Sequence, residues 1–172
     1  MQIRNVPAGA CCLIVLTASG IAYAASLSKV DKQFMITAAK TDMTEAHEGQ
    51  MAENQALRTD IKDFAKTLVK DHTKSYQRLT KLAAETGVSI PNGIDGAKDP
   101  TIQRLGRLKG DRFEREFARD EIAAHRQAIA IFKREASHGQ NAEVKAYATE
   151  MIPVLEKHLH LAEDMAKPAR HS

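Results

Sequence analysis

"VSIPNGIDGAKDP", residues 88–100, is the one long run of Gly, Pro, Asn and Asp in a chain that otherwise keeps a helical period. Two pairs of helical segments flank it. The first pair covers Ser28 to Ala56, with Asp31 near its start, and a second helix capped by Thr59 or Asp60 and ending at Gly87, a natural residue for leaving a helix. The second pair is a helix capped by Asp111 and running to Ser137, closed by His138-Gly139, then a helix capped by Asn141 and ending near Ala166. Inside the link, Asp99-Pro100 predicts a cap and first-turn proline opening a short helix to about Leu108. Helices of this length span about 40 Å, so a link this long can run the length of a bundle and return the chain to its starting end. An up-down bundle needs no such link. The expected fold is therefore all-α: a ferritin-like four-helix bundle with a long crossover, containing a short helix, between helices two and three. Pro153 predicts a kink or restart within helix four, because it cannot donate to the Thr149 carbonyl.

The first residues are of another kind. One positive charge, Arg4, precedes "PAGACCLIVLTASGIA" (7–22), an uncharged run too short for a spanning helix, and "AYA" (22–24) fits a small-residue cleavage site. The expected organisation is a secretory signal peptide over 1–24, a bundle domain over 25–166 and a disordered tail over 167–172, with a retained N-terminal anchor as the alternative. Localisation is then periplasmic or secreted, with no membrane span after cleavage. Both cysteines, Cys11 and Cys12, leave with the signal, so the mature chain has no disulfide, thiolate metal site or cysteine nucleophile.

Charge narrows the partners. The 25 Lys and Arg residues against 22 Asp and Glu give a net charge of +3, and the charges are interspersed instead of clustered. With no Trp either, nucleic acid is excluded as a partner. An envelope protein or a second copy of the chain fits a salt-bridge-laced helical surface. No Gly-rich phosphate loop, Gly-x-Ser-x-Gly elbow or catalytic triad is present, so no catalytic residue is assigned and a non-enzymatic role is favoured.

The informative residues are polar groups inside apolar stripes. Phe64, Leu68, His72, Tyr76 and Leu79 recur at the spacing of one helix face, with an imidazole where the pattern asks for leucine. Helix three repeats this with Ile122, His125, Ile129, Phe132 and Ala136, and helix four with Met151, Leu155, His158, Ala162 and Met165. Helix one offers Phe34, Ala38, Thr41, Glu45, Gly49 and Ala52. Counted from the first turn, Glu45 and His72 fall at one height. His158 lies about 6 Å, one helical turn, farther from the second turn than His125; Glu121, four residues before His125, is level with it instead. Burying such groups unpaired costs several kcal/mol. Two arrangements offset that: a polar layer in which carboxylate and imidazoles satisfy each other, or a metal ion. Three His and one Glu, with Glu121 as a further ligand, suit Zn, Fe, Mn or Cu.

Other polar residues are expected on the surface. His160, Glu156 and Asp164 form a solvated group, His47 and Glu48 are surface residues, and Asp71 is a surface charge beside Lys74 and Ser75. Met35, Met43 and Met51 recur every eight residues and are assigned to core packing over a Cu(I) surface. Glu135-Ala136-Ser137-His138 is the one Glu-x-x-His match, at a helix end where capping explains the histidine; a ferritin-type di-iron centre wants two such pairs.

"DKQFMITAAKTDMTEAHEGQMAENQA", "IKDFAKTLVKDHTKSYQRLTKLAAETGVSIP" and "IPVLEKHLHLAEDMA" resemble the bacterial domain of unknown function 4142 family over nearly all of residues 31–166. The landmarks are Glu45, Asp71-His72, His125 and Pro153 to Leu159; Ala124-His125 stands where that family often has Asp-His. The resemblance implies an exported protein of ferritin-like fold, with a metal role by analogy of fold. The function expected is thus an exported bundle binding a transition metal at mid-bundle through Glu45, His72, Glu121, His125 and His158, for metal handling or stress protection. The alternative is a structural or interaction module of the cell envelope with a metal-free polar layer.

Overall fold

The computed structural model describes residues 27–167. The expected signal peptide and residues 168–172 of the expected tail lie outside that range. Within the described residues five helices follow one another: α1 (Lys29–Gln55), α2 (Thr59–Thr86), α3 (Pro100–Gly106), α4 (Gly110–His138) and α5 (Ala142–Met165). Among the described residues there is no strand, and no helix is long and apolar enough to cross a membrane.

Two apolar clusters fix the topology. Phe34, Leu79, Phe132 and Tyr147 meet in one, so the start of α1, the ends of α2 and α4 and the start of α5 share one end of the bundle. Ala52, Ile61, Phe113 and Met165 meet in the other, at the opposite end. Neighbouring long helices are therefore antiparallel and diagonal ones parallel, and the segment from Gly87 to α4 must travel the bundle's length. This is the ferritin-like four-helix bundle with a crossover. The crossover is pinned by α3, whose Ile102 and Leu105 are buried and whose Arg104 pairs with Glu116, at 3.2 Å, and with Asp120 of α4.

Several helix ends follow the sequence. Ser28 and Asp31 form a capping box on α1, Gly87 leaves α2 in the left-handed conformation at φ 68°, Asp99 caps α3, and Asn141 caps α5. Two caps do not. The N-cap of α2 is Arg58, not Thr59 or Asp60, and no side chain of its own turn caps it. Glu114 of α4 reaches across instead: its Oε1 accepts from the backbone N–H of Leu57 at 2.7 Å and of Arg58 at 2.8 Å. The N-cap of α4 is Lys109, with Asp111 inside the first turn, where its charge complements the helix dipole. Nor does α5 restart at Pro153; it runs unbroken from Ala142 to Met165 with that proline exposed. Met35 lies in the core as expected, and Met51 packs against the second cluster.

Candidate metal centre

Between the two apolar clusters lies a polar layer. His72 and His125 are 1% exposed and His158 is 0% exposed. Their ring centroids are 5.8 Å (His72–His125), 5.3 Å (His72–His158) and 5.3 Å (His125–His158) apart. The one-turn mismatch between His125 and His158 is closed by side-chain direction. Cα–Cβ bonds tilt toward a helix's own N-terminus, so on antiparallel α4 and α5 the two rings lean toward each other.

The level assigned to Glu45 needs correcting. The α1–α2 turn centres on Leu57, and Asp42, not Glu45, is as far from it in sequence as His72. Asp42 is buried, and its Oδ1 lies 2.9 Å from His72 Nδ1. Its Oδ2 accepts from the Tyr147 hydroxyl at 3.4 Å, and that hydroxyl also meets Ser75 Oγ at 2.8 Å. The inner register of α1 is Met35, Ala38, Asp42, Glu45, Gly49 and Ala52, an unbroken three–four alternation. Thr41, placed in the stripe by sequence, is only half-buried. That alternation was the available signal for Asp42.

Asp71 is a second correction. It is not a free surface charge: its side chain is 27% exposed and its Oδ2 lies 3.1 Å from His158 Nε2, because this flank of α2 faces α5. Glu48 is also not a surface residue, being 4% exposed. Burial, then the charges of Glu45, Asp120 and Asp99, push its carboxyl up to about 8. His47 is exposed, and the exposed His160 lies 3.5 Å from Asp164, both as expected. His138 is exposed beside the Arg134 carbonyl, whereas Glu135 is buried.

Each ring of the trio is held from behind by an acceptor. His72 Nδ1 faces Asp42, His158 Nε2 faces Asp71, and His125 Nδ1 lies 2.9 Å from the Glu121 carbonyl. Carbonyl and carboxylate oxygens accept, so these nitrogens carry the hydrogens. The lone pairs then sit on His72 Nε2, His125 Nε2 and His158 Nδ1. The last two are 3.3 Å apart, and His72 Nε2 is buried without a hydrogen-bond partner. Ligand-capable atoms of the three histidines all lie within 4.8 Å of one another. Backing by carboxylate or carbonyl is the arrangement that orients and strengthens imidazole ligands of metals.

Protonation follows the same geometry. Burial, then the neighbouring rings of His72 and His125, press His158 down to about 4, against the pull of Asp71. Burial likewise lowers His125. Burial opposes charge on His72 too, but the Asp42 hydrogen bond and the charges of Glu45, Asp42 and Asp71 outweigh it and raise this ring. On the far side of His125 lie Glu45 and Glu121, 4% and 0% exposed. Burial, then the charge of Glu45, holds the Glu121 carboxyl well above the carboxylate range. All five residues expected at mid-bundle are thus brought into one layer; Asp42 and Asp71 are the residues that sequence reasoning missed as partners.

The family model for Domain of unknown function DUF4142 matches residues 16–165. The chain belongs to this family. No curated protein matches it by sequence. Among solved structures, this DUF4142 chain is similar to a DUF305 fragment from Deinococcus radiodurans, with a TM-score of 0.72 at 13% identity, over 81% of this chain and 97% of that one. It is similar to a DUF305 protein from Streptomyces coelicolor, with a TM-score of 0.69 at 13% identity, over 83% of this chain and 98% of that one. A third is CopM in its Cu(I)-bound form, with a TM-score of 0.67 at 16% identity, over 78% of this chain and 93% of that one. CopM is also known in Cu(II)-bound and Ag-bound forms. At these identities the likeness is one of fold.

Proposed function

We propose that this chain is an exported metal-handling protein in which His72, His125 and His158 hold a transition-metal ion. The observation that carries this reading is the convergence of three lone-pair nitrogens whose opposite ring nitrogens are each tied to an acceptor. Three imidazoles, with His72 giving up its proton on binding, suit copper and zinc better than manganese, and Cu²⁺ heads the divalent affinity order. Copper is therefore the first choice. A bound ion would neutralise the mutual repulsion of the lone pairs. Asp42, the Glu121 carbonyl and Asp71 would fix the rings, and the apolar clusters above and below would exclude water.

The metal-bound forms of CopM support metal handling as the class of function, and the apolar N-terminal run with its "AYA" site supports export. The Streptomyces neighbour carries a secreted-protein name, in line with export. Storage, buffering or protection from metal-driven oxidation are roles such a site serves. The competing account, a metal-free polar layer fixing helix register, can join His125 to His158 across 3.3 Å but must also find an acceptor for His72 Nε2. That atom has no acceptor within hydrogen-bond reach, which favours the metal. A thermal-shift panel of divalent ions on untagged protein tests the proposal. Copper or zinc should raise the melting temperature of the wild type and leave a His72→Ala/His125→Ala variant unmoved. No shift with any ion would reject it.

A further inference from the structure

We infer that Glu45 and Glu121 form a second cation position, side by side with the tri-histidine centre, fed from the groove between α1 and α4. This deepens the proposed function and rests on it for its neighbour, though its test does not. Three observations lead there.

The ligand-capable atoms form two triples, not one group of five. His72, His125 and His158 lie mutually within 4.8 Å, as do Glu45, Glu121 and His125, and His125 alone belongs to both. Its Nε2 lies 3.3 Å from His158 Nδ1, while its Nδ1 lies 3.4 Å from Glu121 Oε2 but gives its hydrogen to the Glu121 carbonyl, which leaves the second position to the two carboxylates.

Three of the four carboxylate oxygens have no hydrogen-bond donor to satisfy them. Glu45 Oε2 and both Glu121 oxygens are fully buried without a hydrogen-bond partner. Among the described residues no lysine or arginine pairs with either group, unlike the acidic side chains that Arg58, Arg104 and Arg126 neutralise. Two ionised carboxylates in one buried layer repel unless a proton or a cation lies between them.

The position also has an approach of its own. A groove of ≈ 240 Å³ between α1 and α4 includes Glu45 in its lining, with the hydroxyl-bearing Thr37, Thr41 and Thr44 and the amide of Gln127. Such neutral oxygens suit an ion shedding water on its way to a carboxylate. Asp71, behind His158, opens on the other side of the bundle, into a groove between α2 and α5. Glu45 and Asp71, one from each side of the layer, therefore line different grooves.

Donor chemistry separates their preferences. Two carboxylates with neighbouring oxygen donors select a harder divalent ion of the Mn²⁺ or Fe²⁺ class, whereas three imidazoles select copper or zinc. The experiment uses Mn²⁺ as a paramagnetic probe, on untagged protein first loaded with Cu²⁺ and freed of excess. The wild type should bind one further equivalent of Mn²⁺. Glu45→Gln/Glu121→Gln, near-isosteric and freed of charge repulsion, should bind Mn²⁺ at least tenfold more weakly while keeping its Cu²⁺. His72→Ala/His158→Ala should lose Cu²⁺ and keep Mn²⁺. If that variant does not fold, the wild-type stoichiometry and the glutamine variant decide between one position and two. Wild-type protein that takes up no Mn²⁺, or a glutamine variant that loses both ions together, would overturn the second position. A wild type that binds Mn²⁺ but no Cu²⁺ would reject the tri-histidine reading and uphold this one.

Discussion

His72 Nδ1 lies 2.9 Å from Asp42 Oδ1, with both side chains buried. This contact sets which nitrogen of the ring carries hydrogen and leaves Nε2 turned to the other two imidazoles. Asp42 thus does for His72 what Asp71 does for His158 and the Glu121 carbonyl does for His125. A ring oriented this way needs no rearrangement to bind a cation.

Asp42→Ala should therefore weaken metal binding without removing a ligand. Loss of a carboxylate behind a ligating histidine typically lowers affinity about 10–100-fold. Competition titration against a chelator of known affinity reads the change. An affinity equal to that of the wild type would mean that His72 is not a ligand, or that its orientation is set elsewhere.

Glu48 should make the fold more stable in mild acid than in mild base. Its carboxyl is pushed from the usual 4.5 up to about 8 in the folded chain. Between those values the folded state binds the extra proton, so stability falls as pH rises through that window and the contribution is gone above the folded pKa. Urea unfolding of metal-free protein at a series of pH values checks this. Glu48→Gln, which cannot ionise, should flatten the profile and stabilise the chain most at the alkaline end. An unchanged profile in the variant would assign the pH dependence to other groups.

Gly49 marks the closest approach of α1 to α2. A Cβ there would meet the Ala65 carbonyl oxygen at 3.0 Å, Val69 Cγ2 at 3.0 Å and Leu68 Cβ at 3.2 Å. In an open helix, alanine would gain about 0.5–1 kcal/mol over glycine. Here the carbonyl and the Leu68 stem cannot move without parting the helices, and overpacking of this kind costs about 1–3 kcal/mol. Gly49→Ala should lower the melting temperature, and it should weaken metal binding as well because Glu45 lies one turn away. A melting temperature at or above that of the wild type would show that the α1–α2 interface yields.

The helices and their crossover were legible because they rest on local signals: the Gly-Pro-rich stretch at 88–100, the Asp99-Pro100 opening, Gly87 and the Asn141 cap. His72, His125 and His158 were legible because each breaks an apolar stripe. Asp42 was not, since one choice of register put Thr41 on the inner face, and a single residue's shift moves a side chain about 100° around the helix. Asp71 and Glu114 act across helices, from flanks whose neighbours depend on how the two hairpins pack. No spacing within one helix records that. Glu48 looked like a surface charge because two of the acidic groups whose charge it feels, Asp99 and Asp120, come from the crossover and α4, which no spacing within α1 records.

The tri-histidine centre is tested most directly by electron paramagnetic resonance of the Cu²⁺-loaded, untagged protein. The account predicts one tightly bound Cu²⁺ per chain, with nitrogen hyperfine structure from imidazole that is lost in His72→Ala/His125→Ala. A spectrum without imidazole nitrogen, or a double variant that binds copper as the wild type does, would contradict it.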